Sequence, residues 1–217
     1  MKCPDLDKLE ASHFKHMVAD EFVKWHDLHG MQAASVLNDG IEKYRKLHKF
    51  TDKVDNAFGR KALIRAMPCA VMGRDDLNLA QADITYPCEA SYRGLQMYSK
   101  LLKSYLMGKY PYKESKCLRC HLEASEGYGK SIDSVHSIML DLARLSSRST
   151  FKECITETAS NKDSSPEVVL TACSLAGALF GLKQIPPKWV GKFDVKWKCK
   201  AGTFINFAEK YLKKSSF

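Results

Sequence analysis

Between Lys116 and His121 the chain reads KCLRCH, placing Cys117, Cys120 and His121 at the Cys-x-x-Cys-His spacing. Two thiolates and an imidazole at this spacing are the attachment sequence for a covalent haem, and equally three of the ligands of a zinc site. Each reading needs a further condition. Haem attachment of this kind belongs to export compartments, and the charged start MKCPDLDKLEASHF lacks a signal peptide's apolar core. Structural zinc needs a fourth ligand, for which Cys88 or His136 would have to serve. The plainer reading is free thiols on a short helix or loop. With Lys116 and Arg119 beside them, their pKa values would fall, leaving a redox pair as a further option. Four histidines, His13, His16, His26 and His29, share one N-terminal segment in two pairs three residues apart. Each pair can touch one metal ion, but surface histidines are the expectation. Serines, histidines and aspartates are plentiful, yet no strand-turn-helix elbow presents a nucleophilic serine. The remaining cysteines (Cys3, Cys69, Cys88, Cys154, Cys173, Cys199) are scattered too widely for a compact disulfide framework, so reduced and partly buried thiols are expected.

The elements that must position such groups are helical almost throughout. In SHFKHMVADEFVKWHDLHG, Phe14, Met17, Val18, Phe22 and Trp25 form one stripe that stops at Gly30. In EASYRGLQMYSKLLKSYLM, Leu95, Tyr98, Leu102 and Tyr105 recur at steps of three and four; in SIDSVHSIMLDLARL, Ile132, Val135, Met139 and Leu142 do the same. These are amphipathic-helix spacings. Only WVGKFDVKWKC has a brief strand-like rhythm, so the fold class expected is all-α, a helical bundle. At 217 residues and 45% apolar content, with no linker composition or repeat, the chain is read as one domain over 1–217. No run approaches the ~20 apolar residues of a membrane span, so no membrane partner is expected and the location is read as intracellular, cytoplasmic or nuclear. The formal net charge is +9, and much of the excess lies after Lys183 in a lysine-rich segment whose last part spans 190–217. Such a patch can hold phosphates or nucleic acid, although a solvated lysine surface is the simpler reading.

The best-signalled helix lies in NKDSSPEVVLTACSLAGALFGLKQIPPKW, Asn161 to Trp189. Ser165 can cap it, Pro166 suits its first turn, and Glu167 meets the positive end of its dipole. Val168, Val169, Ala172, Leu175, Ala176, Leu179 and Phe180 make a wide apolar face, while Ala172, Cys173, Ala176 and Gly177 are small enough for a neighbouring helix to come close. Gly181 is expected to end the helix in the left-handed conformation, with IPPKW non-helical and Trp189 folded back over the end.

SLAGALFGLKQIPPKW resembles the C-terminal core helix and Ile-Pro-x-x-Trp tail of the ADP-ribosylglycohydrolases, the all-α group that includes dinitrogenase-reductase-activating glycohydrolases. Other landmarks follow in the family's order. GRKALIRAMP is similar to a Gly-Asn-Gly-Ala-x-Met-Arg-x-x-Pro element at Gly59, Ala62, Arg65 and Pro68. ADITYP is similar to a Thr-His element at Thr85, and SEGYGKSIDS to a Ser-Gly-Tyr-Val-x-Asp-Thr element at Gly127, Tyr128 and Asp133. The resemblance covers about Gly59 to Trp189. It implies a compact orthogonal helical bundle and a family chemistry in which two Mg²⁺ ions position ADP-ribose and a water, releasing ADP-ribose from a modified side chain.

Two adjacent divalent ions need several carboxylates. The family takes them from a Gly-Asp element, a Thr-Asp-Asp element and a Gly-Gly-Asp-x-Asp turn before the C-terminal core helix. Here the last two aspartates correspond to Ser164 and Pro166, Asp163 is the only metal candidate, and no Thr-Asp-Asp precedes Gly59; Met1 falls after the place of the first two elements. No catalytic residue is assigned. Arg60 and Lys61 stand where the family has Asn-Gly. They either hold a pyrophosphate or acidic partner in place of the lost magnesium charge, or simply reach solvent, which is the favoured reading. Arg65 is read as structural. Tyr86 replaces the family's histidine and loses one hydrogen-bonding edge. The reading is a noncatalytic ADP-ribosylglycohydrolase-like protein without a cofactor. Its vestigial cleft comprises Gly59, Arg60, Lys61, Thr85, Tyr86, Gly127, Tyr128, Asp163 and Ser164, and its partners would be a protein, ADP-ribose or another phosphate ligand. The alternatives are a residual Mg²⁺-dependent hydrolase of ADP-ribosylated side chains and a nucleic-acid binder acting through the basic C-terminal segment.

Overall fold

A computed structural model of the chain describes residues 8–29, 35–52, 60–85, 87–109, 150–160, 166–192 and 194–212. Every regular element among them is a helix, so the protein is all-α. In chain order these are α1 (Ala11–His29), α2 (Ser35–Leu47), α3 (Arg60–Leu63), α4 (Met67–Met72), α5 (Asp75–Asp83), α6 (Glu89–Leu106), α7 (Phe151–Ser160), α8 (Pro166–Phe180), α9 (Pro187–Val190) and α10 (Val195–Leu212). No helix among the described residues is long and apolar enough to cross a membrane.

Local chemistry accounts for several boundaries. Pro68 occupies the first turn of α4, where its missing N–H leaves no gap, and Gly73 closes that helix at φ 73° and ψ 14°, the left-handed region open to glycine. The amides of Gly73 and Arg74 then reach back to the carbonyls of Ala70 and Cys69 at 3.1 and 3.0 Å. Helix α7 begins with a reciprocal capping box. The Thr150 amide donates to Glu153 Oε2 at 3.0 Å, and the Glu153 amide donates to Thr150 Oγ1 at 3.3 Å. At the head of α6 the capping acceptor is a thiol, since the Ser91 amide donates to Cys88 Sγ at 3.4 Å.

Helix α6 buries Leu95, Tyr98, Leu102 and Tyr105, as its spacing predicts, together with Leu101. It lies at the centre, packed against α3, α4, α5 and α8. Helix α8 packs on α7, α6 and α3 and buries Val168, Thr171, Ala172, Leu175 and Ala176. A Cβ added at Gly177 would meet nothing within 4 Å, so close approach along α8 rests on Ala172 and Ala176 and not on that glycine. Gly181 ends α8 with positive φ (72°) as expected, but its ψ of 171° is extended and not left-handed helical. Nor is the tail non-helical. Leu182–Gln184 form a 3₁₀ turn and Pro187 opens α9, because a proline excluded from a helix interior is well suited to a first turn. Trp189 packs against the core with its ring edge-on to Phe151 of α7 at 6.1 Å. The strand-like rhythm of WVGKFDVKWKC is likewise resolved as helix, α9 and the start of α10.

A second, smaller cluster joins α1, α2 and the end of α5: Ala19, Tyr44 and Ile84, with Val18, Phe22, Val23 and Phe50 against them. Here the sequence stripe is rotated. Trp25 is 40% exposed, whereas His26 is buried, contrary to the expectation of surface histidines. Ala19 and His26, seven residues apart, mark the buried line, because the small Ala19 lets α1 approach its neighbours closely. Gly40 on α2 has the same origin: a Cβ there would lie 2.8 Å from the Ile84 carbonyl oxygen and 3.2 Å from Thr51 Oγ1.

Candidate functional site

The segments GRKALIRAMP and ADITYP meet in space. Arg65 is in the turn after α3, not on that helix, and its guanidinium points toward α5. Its Nε donates to Gln81 Oε1 at 3.0 Å and its Nη2 to Thr85 Oγ1 at 2.8 Å. The Phe22 ring lies 5.1 Å from the guanidinium carbon, within reach of a cation–π contact. The network continues inward. Gln81 Nε2 donates to the Ala62 carbonyl at 3.1 Å and to Asn78 Oδ1 at 3.3 Å, and Asn78 Nδ2 donates to Ser99 Oγ at 3.1 Å. A polar chain thus runs from Thr85 through Arg65, Gln81 and Asn78 to Ser99, linking the α3 turn, α5 and α6. Thr85, Gln81, Asn78 and Ser99 are all buried, so their mutual hydrogen bonds replace lost water.

The Arg65 guanidinium has no carboxylate in ion-pair contact among the described residues. Burial lowers its pKa to about 10, still far enough above neutrality to keep it charged. Arginine suits such a place because its charge is delocalised and its planar fork addresses two acceptors at once. The structural role read from the sequence is therefore seen directly, with partners that the sequence reading missed. A signal existed: Asn78, Gln81 and Thr85 stand at helical steps of three and four within LNLAQADIT, whose other residues apart from Asp83 are apolar.

Of the predicted cleft residues, Thr85 is 1% exposed, its hydroxyl oxygen turned to Arg65. Arg60 and Lys61 belong to α3, which packs against α6 and α8. Gly59, Tyr86, Gly127, Tyr128, Asp163 and Ser164 lie outside the described residues, as do Ser165, Cys117, Cys120 and His121. Pro166 is the first residue of α8. Its ring offers no donor oxygen at the start of that helix.

Two further polar clusters surround the α1–α2 contact. Asp83 accepts from Lys15 Nζ at 3.0 Å and closely from the Tyr92 hydroxyl. Tyr44 donates to Asp20 Oδ1 at 3.0 Å, which leaves His16 Nδ1, 3.1 Å away, to donate to the phenol oxygen. Burial, aided by that bond to Asp20, pushes the Tyr44 hydroxyl up to about 12, and burial with the bond to Asp83 raises Tyr92 as well. His26 Nδ1 lies 3.1 Å from Arg45 Nη2, and because arginine only donates, the imidazole proton must sit on Nε2, which has no hydrogen-bond partner among the described residues. His26 is thereby tied to an arginine. Among the cysteines, Cys69, Cys88 and Cys154 are buried and stand outside any disulfide, as expected. Burial pushes the Cys69 thiol up to about 12 and Cys154, with the neighbouring Cys173 adding to the effect, up to about 11. Cys69 and Cys154 are therefore held as thiols, not thiolates, at neutral pH.

Fold and polar network together define an all-α protein with a buried arginine-centred junction between its N-terminal and central helices. The sequence matches no model of a known protein family and no curated protein.

Proposed function

We propose that the chain is a noncatalytic member of the ADP-ribosylglycohydrolase-like class that serves as a recognition module, binding ADP-ribose or a related phosphate ligand without hydrolysing it. The observation that carries this reading is the Arg65–Thr85 hydrogen bond of 2.8 Å. It joins the segments GRKALIRAMP and ADITYP, twenty residues apart, that resemble successive landmarks of the family. Contact between α3 and α8, which bears the third landmark SLAGALF, adds to the support. The noncatalytic part rests on donor chemistry: Ser164 and Pro166 replace two carboxylates, and Asp163 alone cannot balance two divalent charges.

Isothermal titration with ADP-ribose, with and without Mg²⁺, tests the reading together with a release assay on an ADP-ribosylated peptide. The expected result is magnesium-independent binding without release. Magnesium-dependent release of ADP-ribose would refute the noncatalytic assignment in favour of a surviving hydrolase. Absence of binding in both titrations would refute ligand recognition and leave a protein-interaction role.

A further inference from the structure

The basic excess of the chain is concentrated on one part of the structure. Residues 183–200 hold six lysines and one aspartate, a net +5 of the chain's +9. Lys183, Lys188, Lys192, Lys196, Lys198 and Lys200 are all exposed. Elsewhere the chain's 28 basic residues face 24 acidic ones, and several lysines are paired: Lys15 with Asp83, Lys24 with Glu21, Lys43 with Asp52, Lys46 with Glu42, and Lys103 with Asp75. Lys183, Lys188, Lys192, Lys196 and Lys198, by contrast, form no ion pair with any described residue.

The support beneath these lysines is equally distinctive. Helix α10 is held to the body by its C-terminal half, where Phe204 and Phe207 are half-buried and Tyr211 is buried, and it packs against α4. Its first two turns are different. Val195, Lys196, Lys198, Cys199, Lys200 and Ala201 are all exposed. Lys196 and Lys198, two positions apart on a helix, point to nearly opposite sides. An interfacial membrane helix needs its cations on one side and a continuous apolar stripe on the other, and this segment has no such division.

We propose that the lysine-bearing surface from Lys183 through the first turns of α10 binds a nucleic-acid duplex through its phosphate backbone, without reading base sequence. Charge complementarity is the basis. The exposed ammonium groups of Lys183, Lys188, Lys192, Lys196 and Lys198 can meet a dense row of phosphates and release its condensed counterions, and lysine, a point charge on a flexible stem, contacts phosphate without selecting a base. This surface is independent of the ADP-ribose reading, which concerns the α3–α5 side of the protein.

Fluorescence anisotropy of a short labelled DNA duplex of arbitrary sequence, with the full chain, tests the proposal. If about four lysines engage phosphates, the logarithm of affinity falls against the logarithm of salt with a slope of about −4, and affinity drops about two-hundredfold between 50 and 200 mM salt. Replacing Lys188, Lys192, Lys196 and Lys198 together by glutamine should abolish binding and leave the far-UV circular dichroism unchanged, since all four are exposed. A control variant with Lys24, Lys43 and Lys46 replaced by glutamine should keep its affinity within about threefold, because carboxylates already balance those charges. The proposal is overturned if the native chain leaves the duplex free at 50 mM salt, or if both variants lose affinity equally. It is also overturned if phosphatidylserine vesicles capture the chain while the duplex does not.

Discussion

Replacing Thr85 by valine would remove one oxygen from the buried junction and nearly nothing else. The two side chains have almost the same shape, so packing around Ile84 and Ala82 persists while Arg65 Nη2 loses the acceptor 2.8 Å away. A hydrogen bond to a charged group contributes about 1.5–3 kcal/mol, and a donor left without its partner in a buried setting accounts for most of that. The guanidinium is not fully enclosed, so the lower part of the range applies, about 2 kcal/mol. With a urea dependence of about 2 kcal/mol per molar, the unfolding midpoint followed by circular dichroism should fall by about 1 M. Arg65→Met removes the same bond together with the one to Gln81, and the double variant should cost less than the two single changes added together. A coupling of about 1.5 kcal/mol is expected from the cycle. Strict additivity, or a Thr85→Val midpoint within about 0.2 M of the native chain, would show that the hydrogen bond does not hold these segments together.

Further outcomes follow from the same structure. Gly40→Ala should lower the thermal midpoint, with a destabilisation of about 1–3 kcal/mol, because the new methyl would sit 2.8 Å from the Ile84 carbonyl oxygen. Helix propensity alone predicts a gain at that position, so the sign of the change separates the two effects. Leu175→Ala, at a site 1% exposed, should cost about 2–5 kcal/mol in urea unfolding, and Leu170→Ala, 54% exposed on the same helix, no more than about 0.5 kcal/mol. Alkaline pH should destabilise the fold. Burial raises Cys69 from 9.0 to about 12, Cys154 from 9.0 to about 11, and Tyr44 and Tyr98 from 10.0 to about 12. Each group keeps its proton longer folded than unfolded, so the stability it confers is complete below the unfolded pKa and lost as pH climbs toward the folded one. Arg65, whose pKa burial lowers to about 10, acts in the opposite sense over its own window but is one group against four. Thermal midpoints should be level to about pH 8.5 and fall from there to pH 11, and a midpoint rising over that interval would contradict the burial of these groups.

Much of the architecture was legible from side-chain period. Leu95, Tyr98, Leu102 and Tyr105 announced the buried face of α6, and Val168, Ala172, Leu175 and Ala176 that of α8, because a helix is a local structure whose faces are set by spacing of three and four. Boundaries were less legible. The prolines of IPPKW signalled an end to α8, and they were also the start of α9, since the same ring that blocks a helix interior fits its first turn. The candidate site was legible only in part. Thr85 and Arg65 were picked out separately, one as a cleft residue and one as structural, and nothing in the order of residues said that they bond to each other.

What the sequence determined by itself was the helical class, the faces of the long helices and the crowding of lysines near the C-terminal end, each a property of residues close together along the chain. Tertiary structure decided which polar groups turn inward and which small residue is indispensable. It placed His26 inside and Trp25 outside on one helix, made Gly40 necessary and Gly177 not, and drew Arg65, Gln81, Asn78 and Ser99 into one network. The reason is that burial depends on how near a neighbouring helix comes, and that distance is fixed by residues far away in sequence.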